Sequence, residues 1–148
     1  MKIVSRRDDD NEDLIPWAED LPPLVEPAEY DARCLQVKTH THYRQVKVNF
    51  LFEILTEGHA FGVYLRGYCP LTTPLSPHSK LAGWFRVIAQ YTGYRPSKIP
   101  LKAFRDYWFR VRVTTVLTDH RQQPLAPCNQ YSRVEDIVSI VGPLKKDV

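Results

Sequence analysis

Apolar and polar residues alternate with a period of two through most of the stretch from Arg44 to Tyr68, RQVKVNFLFEILTEGHAFGVYLRGY. In its first half Val46, Val48, Phe50, Phe52 and Ile54 fall on one face, while Gln45, Lys47, Asn49 and Glu53 share the other with Leu51. β-Branched and aromatic residues at that period predict a half-buried strand. In the second half Phe61, Val63 and Leu65 point one way and Tyr64, Arg66 and Tyr68 the other, with Glu57-Gly58 as the turn between the runs. The pattern predicts a hairpin with a core-facing side and an outer side on which two tyrosines flank an arginine.

Before this hairpin, Tyr30–Thr39 reads as a first strand with imperfect alternation, and residues 40–43 turn the chain. After it, the prolines of CPLTTPLSP (residues 69–77) forbid regular structure. Ser76-Pro77 then fits a helix N-cap followed by proline at the first helical position. Leu81, Trp84, Phe85 and Ile88 recur as one helical stripe, and Gly93 is placed to end it. A connection with one helical turn after Pro100 leads to Trp108–Thr118, where Phe109, Val111 and Val113 point inward and Trp108, Arg110 and Arg112 outward. A last short strand is expected near Leu125–Tyr131. Ser132 and Glu135 have capping-box spacing, so Val134, Ile137, Val138 and Val141 are read as a terminal helix ending at Gly142-Pro143, with a strand continuing through Ile140 as the alternative.

Charge divides the chain. Residues 1–30 hold three Lys/Arg against nine Asp/Glu, a balance of −6; residues 31–148 hold 17 against eight, a balance of +9. The first segment, DDDNED followed by IPWAEDLPPLVEP, is acidic and proline-rich, so residues 1–29 are expected to be a mostly disordered leader and residues 30–148 the folded domain. Trp17, Leu21, Leu24 and Val25 could pin that leader to the domain or engage a partner protein through residues 17–25. No run is long and apolar enough to span a membrane, and no apolar signal region follows Met1. Cys34, Cys69 and Cys128 lack CxxC spacing, which fits reduced thiols and a cytoplasmic location.

Three strands, a helix and two strands, in that order, make a mainly β domain with one core helix between strands 3 and 4. This is the element order of the OB-fold, a five-stranded Greek-key barrel. From Tyr30 to about Gly142 the chain resembles small OB-fold proteins of phages and mobile elements related to single-stranded-DNA-binding proteins. The likeness is carried by the basic first hairpin, GVYLRGY, SKLAGWFRVIAQYTG, WFRVRV and NQYSRV. The resemblance implies single-stranded nucleic-acid binding, DNA or RNA, in replication, recombination or element maintenance. It departs from bacterial single-stranded-DNA-binding proteins in carrying its acidic segment at the N-terminus rather than the C-terminus.

OB-folds hold oligonucleotides across strands 2 and 3, between the loops joining strands 1–2 and 4–5. Such binding needs aromatic faces for base stacking and cations that follow the phosphates. Tyr64, Tyr68 and Trp108 are the stacking candidates. Lys47, Arg66, Arg110 and Arg112 are the phosphate candidates, and Asn49 is a hydrogen-bonding one. The first loop contributes His42, Tyr43 and Arg44; the other contributes His120 and Arg121. The alternative is a protein-interaction or assembly module on the same scaffold, and self-association stays open.

Catalysis is not expected. The sequence has no P-loop, GxSxG or Rossmann glycine pattern, and the acidic residues of the basic part are scattered. His40, His42, Cys34, His59 and Cys69 lack the local spacing that fixes metal ligands, so neither metal nor cofactor is expected.

Overall fold

The computed structural model describes residues 23–144. The expectations for Trp17, Leu21 and the acidic run lie outside the described residues. Five strands, β1 (Ala28–His42), β2 (Gln45–Ile54), β3 (Tyr64–Leu71), β4 (Tyr107–Val116) and β5 (Tyr131–Pro143), form one antiparallel sheet in the order β3-β2-β1-β4-β5. Helix α1 (Lys80–Thr92) lies between β3 and β4 and is followed by a 3₁₀ turn, Leu101–Asp106.

β1 is the hinge of the sheet. Its first residues, Ala28–Arg33, pair with β4, and Ala32–His42 pair with β2 across a bulge between Cys34 and Gln36. A bulge bends and twists its strand, so one long strand can serve two neighbours facing different directions. The same extra residue explains the imperfect alternation of the sequence there.

The sheet curls until its edges approach. A methyl group placed on Gly67 of β3 would sit 3.3 Å from the Val134 carbonyl of β5 and 2.9 Å from Cη2 of Trp84. Trp84, from α1, spans this seam and donates its indole N–H to Asp136 Oδ1 at 2.9 Å. Only glycine lets the two backbones and the indole come this close. The ladder remains open between β3 and β5.

The core follows the predicted faces. Val48, Phe50, Phe52 and Ile54 of β2 are fully buried, as are Phe109, Val111 and Val113 of β4. Leu81, Trp84, Phe85 and Ile88 form the buried stripe of α1. Phe50 lies at the centre, with ring centroids 4.9 Å from Trp84 and 5.0 Å from Phe104 of the 3₁₀ turn. Cys34 and Cys69 face this core, and burial pushes both thiols up to about 12, so they stay protonated; Cys128 is exposed.

Three local expectations are corrected. Ser79, not Ser76, caps α1: its hydroxyl accepts from the Ala82 N–H at 3.1 Å. Ser76 instead organises the preceding turn, its side chain accepting from His78 N. Phe61 is not an inward strand residue, because β3 begins at Tyr64 and Phe61 is exposed in the connecting loop. No strand occupies residues 125–130; a 3₁₀ turn, Pro127–Asn129, precedes β5.

The terminal segment is strand rather than helix, and its register shows why the sequence suggested otherwise. Phe109, Val111 and Val113 of β4 pair with Ile140, Ile137 and Val134 of β5. Bulges in β5 insert a residue at each step, so a strand face with period two on β4 is met by inward residues spaced by three. Spacing by three imitates a helical stripe.

The folded unit also starts ahead of Tyr30. Ser132 of β5 donates its N–H to the Pro23 carbonyl at 2.9 Å, and its hydroxyl bridges both backbone groups of Val25.

Candidate nucleic-acid interface

Directly opposed residues of an antiparallel pair share a face. Because Val48, Phe50 and Phe52 point inward, the residues between them point out, and the register arranges them in rows across the sheet. Arg33, Glu53 and Tyr64 form one row on β1, β2 and β3, and Trp108 of β4 lies opposite Arg33. Leu51 opposes Gln36 and Arg66 in the next row. Lys38, Asn49 and Tyr68 form the third, and His40, Lys47 and Pro70 the fourth.

Tyr64, Arg66 and Tyr68 therefore share the outer face of β3, with Tyr64 53% exposed and Tyr68 half-buried. Asn49, between Lys38 and Tyr68, has its Oδ1 buried without a hydrogen-bond donor among the described residues. A buried acceptor left unpaired costs about 1–3 kcal/mol, so a donor supplied to it would stabilise the face.

The β1–β2 hairpin has a two-residue loop, since His42 pairs with Gln45. Its central residues Tyr43 and Arg44 have φ of 49° and 67°. Positive φ at both positions defines the type I′ turn, which favours Asn-Gly. This chain instead holds an aromatic ring and a guanidinium there, and Tyr43 is 87% exposed. Backbone strain retained for the sake of particular side chains is characteristic of functional positions.

Charge is distributed unevenly over the sheet. The arginines on the outer face of β4, and Arg33 of β1 beside them, each have a carboxylate. Arg110 pairs with Asp31 at 2.9 Å and Glu29 at 3.5 Å, Arg112 with Asp136 at 3.2 Å, and Arg33 with Glu53 at 2.7 Å. The Asp31 hydrogen bond, foremost, raises the Arg110 pKa further. On the other half, Lys38, Arg44, Lys47 and Arg66 form no ion pair among the described residues. The outer surface thus has a neutralised part and a positive part; Tyr68 lies in the positive part, and Tyr64 stands at the boundary, between Arg66 on its own strand and the Arg33–Glu53 pair in its row.

The structure divides the predicted site accordingly. Lys47, Asn49, Tyr64, Arg66 and Tyr68 lie together on β2 and β3, with Tyr43 and Arg44 at the hairpin tip beyond them. Arg110 and Arg112 are outward as expected but occupied by carboxylates. Trp108 is half-buried over β5, its indole nitrogen 3.0 Å from where a Gly142 side chain would begin. Arg121 lies at the far end of β1 from the hairpin tip, in a loop held by Asp119, whose carboxylate accepts from the N–H groups of Arg121 and Gln123 at 2.8 and 2.9 Å. The Gln123 bond leads in holding the Asp119 carboxyl below its ordinary range. Lys38 was missed because the β1 bulge hides from the sequence which face it occupies.

Among the described residues no group of three His, Cys, Asp or Glu side chains is placed to hold a metal ion, and no helix is long and apolar enough to cross a membrane. The chain matches no known family, curated protein or solved structure.

Proposed function

We propose that this chain is a non-catalytic OB-fold protein that binds single-stranded nucleic acid, DNA in the first instance, across the outer face of β1, β2 and β3. The fold assignment rests on the strand order, on the bulged β1 shared between two neighbours, on the meeting of β3 and β5 at Gly67, and on the position of α1 between β3 and β4. One observation carries the function. Lys38, Lys47 and Arg66 around Tyr68, with Arg44 at the hairpin tip, have no carboxylate partner among the described residues, while Arg110 and Arg112 of β4, and Arg33 in the row of Tyr64, do. Unpaired cations next to exposed rings suit a ligand with phosphates along its backbone and π-faces on its bases.

Single strands are favoured over duplex. Bases in a duplex are already stacked and hide their faces, and the one α-helix among the described residues carries only Lys80 and Arg86 as fixed charges, too few for a major-groove recognition helix. Tyr43 and Arg44 extend the track at one end, and Arg121 can cap it at the other.

Fluorescence anisotropy with a labelled oligonucleotide tests the proposal. Binding should be tighter to single strand than to duplex, and Lys38, Arg44, Lys47 and Arg66 should together give a log–log salt slope of about −3, at roughly 0.7 per phosphate contact. No binding at low salt, or equal affinity for duplex, would refute it.

A further inference from the structure

A groove of about 770 Å³, sharing no residue with the tyrosine face, is lined by the loop after β3, one side of α1 and the connection that follows α1. Its floor is apolar, built by Leu71, Leu75, Phe85, Ile99 and Leu101. Its rim is basic: Arg86, Arg95 and Lys98 line it, all exposed, and none has an ion-pair partner among the described residues. Arg86 is fixed in place by donating to the Pro77 carbonyl at 2.6 Å. An apolar floor with a cationic rim selects a segment carrying large apolar side chains interleaved with carboxylates.

The chain contains such a segment. Leu14-Ile15-Pro16-Trp17-Ala18-Glu19-Asp20-Leu21 presents four large apolar side chains, and Glu12, Asp13, Glu19 and Asp20 supply acid on both sides of Trp17. Proline lowers the conformational entropy a segment loses on docking, and Pro16 and Pro22 belong to this stretch. The point where this segment joins the fold is suitable too. Pro23 is bonded to Ser132, and three residues further along β5 Glu135 meets Lys80, the first residue of α1, at 3.9 Å. Three strand residues span roughly 10 Å. The six residues from Trp17 to Pro22 span about 20 Å when extended, roughly twice the length of β5 between the Pro23 anchor and the residue that meets α1.

The geometry points to the groove as the docking site of the chain's own Leu14–Leu21 segment, Trp17 and Leu21 entering the apolar floor and Glu19 and Asp20 meeting Arg95 and Lys98. This inference is independent of nucleic-acid binding, because the groove and the tyrosine face share no residue.

Paramagnetic relaxation in the full chain tests it. A nitroxide placed by Ala18→Cys in a Cys128→Ser background labels one site, since Cys34 and Cys69 are buried. The amides of Ala82, Arg86, Ala89 and Ile99 should lose most of their intensity, and adding R95E/K98E should restore it. In an equimolar mixture of nitroxide-bearing ¹⁴N chains and unlabelled ¹⁵N chains the same amides should keep their intensity. Trp17→Ala without a label should shift those amides as well. Unaffected groove amides would overturn the inference, as would broadening centred on Lys38, Lys47 and Arg66. Broadening that persists in the mixture would overturn it in favour of a second copy of the chain.

Discussion

Replacing Tyr43-Arg44 with Asn-Gly should make the protein more stable and a poorer ligand binder at once. Both residues sit at positive φ in a two-residue turn, 49° and 67°. The left-handed region costs an ordinary residue roughly 1–2 kcal/mol, whereas Gly adopts it freely and Asn tolerates it. Glycine returns part of that gain through the greater freedom of the unfolded chain, roughly 0.5–1 kcal/mol. The net stabilisation is therefore about 1 kcal/mol, which for a chain of this size raises the Tm by about 4 °C. Binding moves the other way. Loss of one stacking ring weakens affinity by roughly 1–3 kcal/mol, about 5- to 150-fold, and loss of the guanidinium reduces the salt slope by about 0.7. Thermal unfolding followed by circular dichroism, alongside anisotropy titrations across salt, measures both arms. A lower Tm would show that the turn is not strained as described. Unchanged affinity and slope would show that the hairpin tip lies off the binding track.

Gly67→Ala should destabilise the fold by about 1–3 kcal/mol, because a methyl group 2.9 Å from a tryptophan that is packed and hydrogen-bonded forces overpacking at the β3–β5 seam. In a double-mutant cycle with Trp84→Phe the two losses should be less than additive, since removing the indole vacates the clash; full additivity would mean the seam is looser than described. Glu135 links stability to pH. Burial raises its pKa, but Arg133 and Lys80 with hydrogen bonds from Arg133 and Thr114 outweigh burial and hold it below the ordinary value. A depressed carboxylate contributes stability above its unfolded pKa and loses it as pH falls through the folded one. Between pH 6 and pH 3 the urea midpoint of the wild type should accordingly fall more than that of Glu135→Gln, and parallel falls would contradict the assignment.

How much of this was legible in the sequence depended on whether a face was read locally or across the sheet. β2 and β4 were legible because strict alternation at Val48–Ile54 and Phe109–Val113 needs no knowledge of partners. β5 was not, because its bulges respace Val134, Ile137 and Ile140 by three and imitate a helix. Gly93 was read correctly, since an αL C-cap depends on one residue, whereas Ser76 and Ser79 compete for the N-cap and only the structure chooses. The outward direction of Arg110 and Arg112 was also legible, but their neutralisation was not. Asp31 lies 79 residues from Arg110 and Asp136 lies 24 from Arg112, and only the register brings them together. Lys38 shows the converse: a bulge at Cys34/Gln36 conceals its face, and no local signal restores it.

The surface itself is tested most directly by an amide chemical-shift titration of the ¹⁵N-labelled chain with a short single-stranded oligonucleotide at low salt. Shifts should concentrate at Lys38, Lys47, Asn49, Arg66 and Tyr68 and fade as salt is raised. Shifts confined to β4 and β5, or a spectrum that the oligonucleotide leaves unchanged, would contradict a binding face on β1–β3.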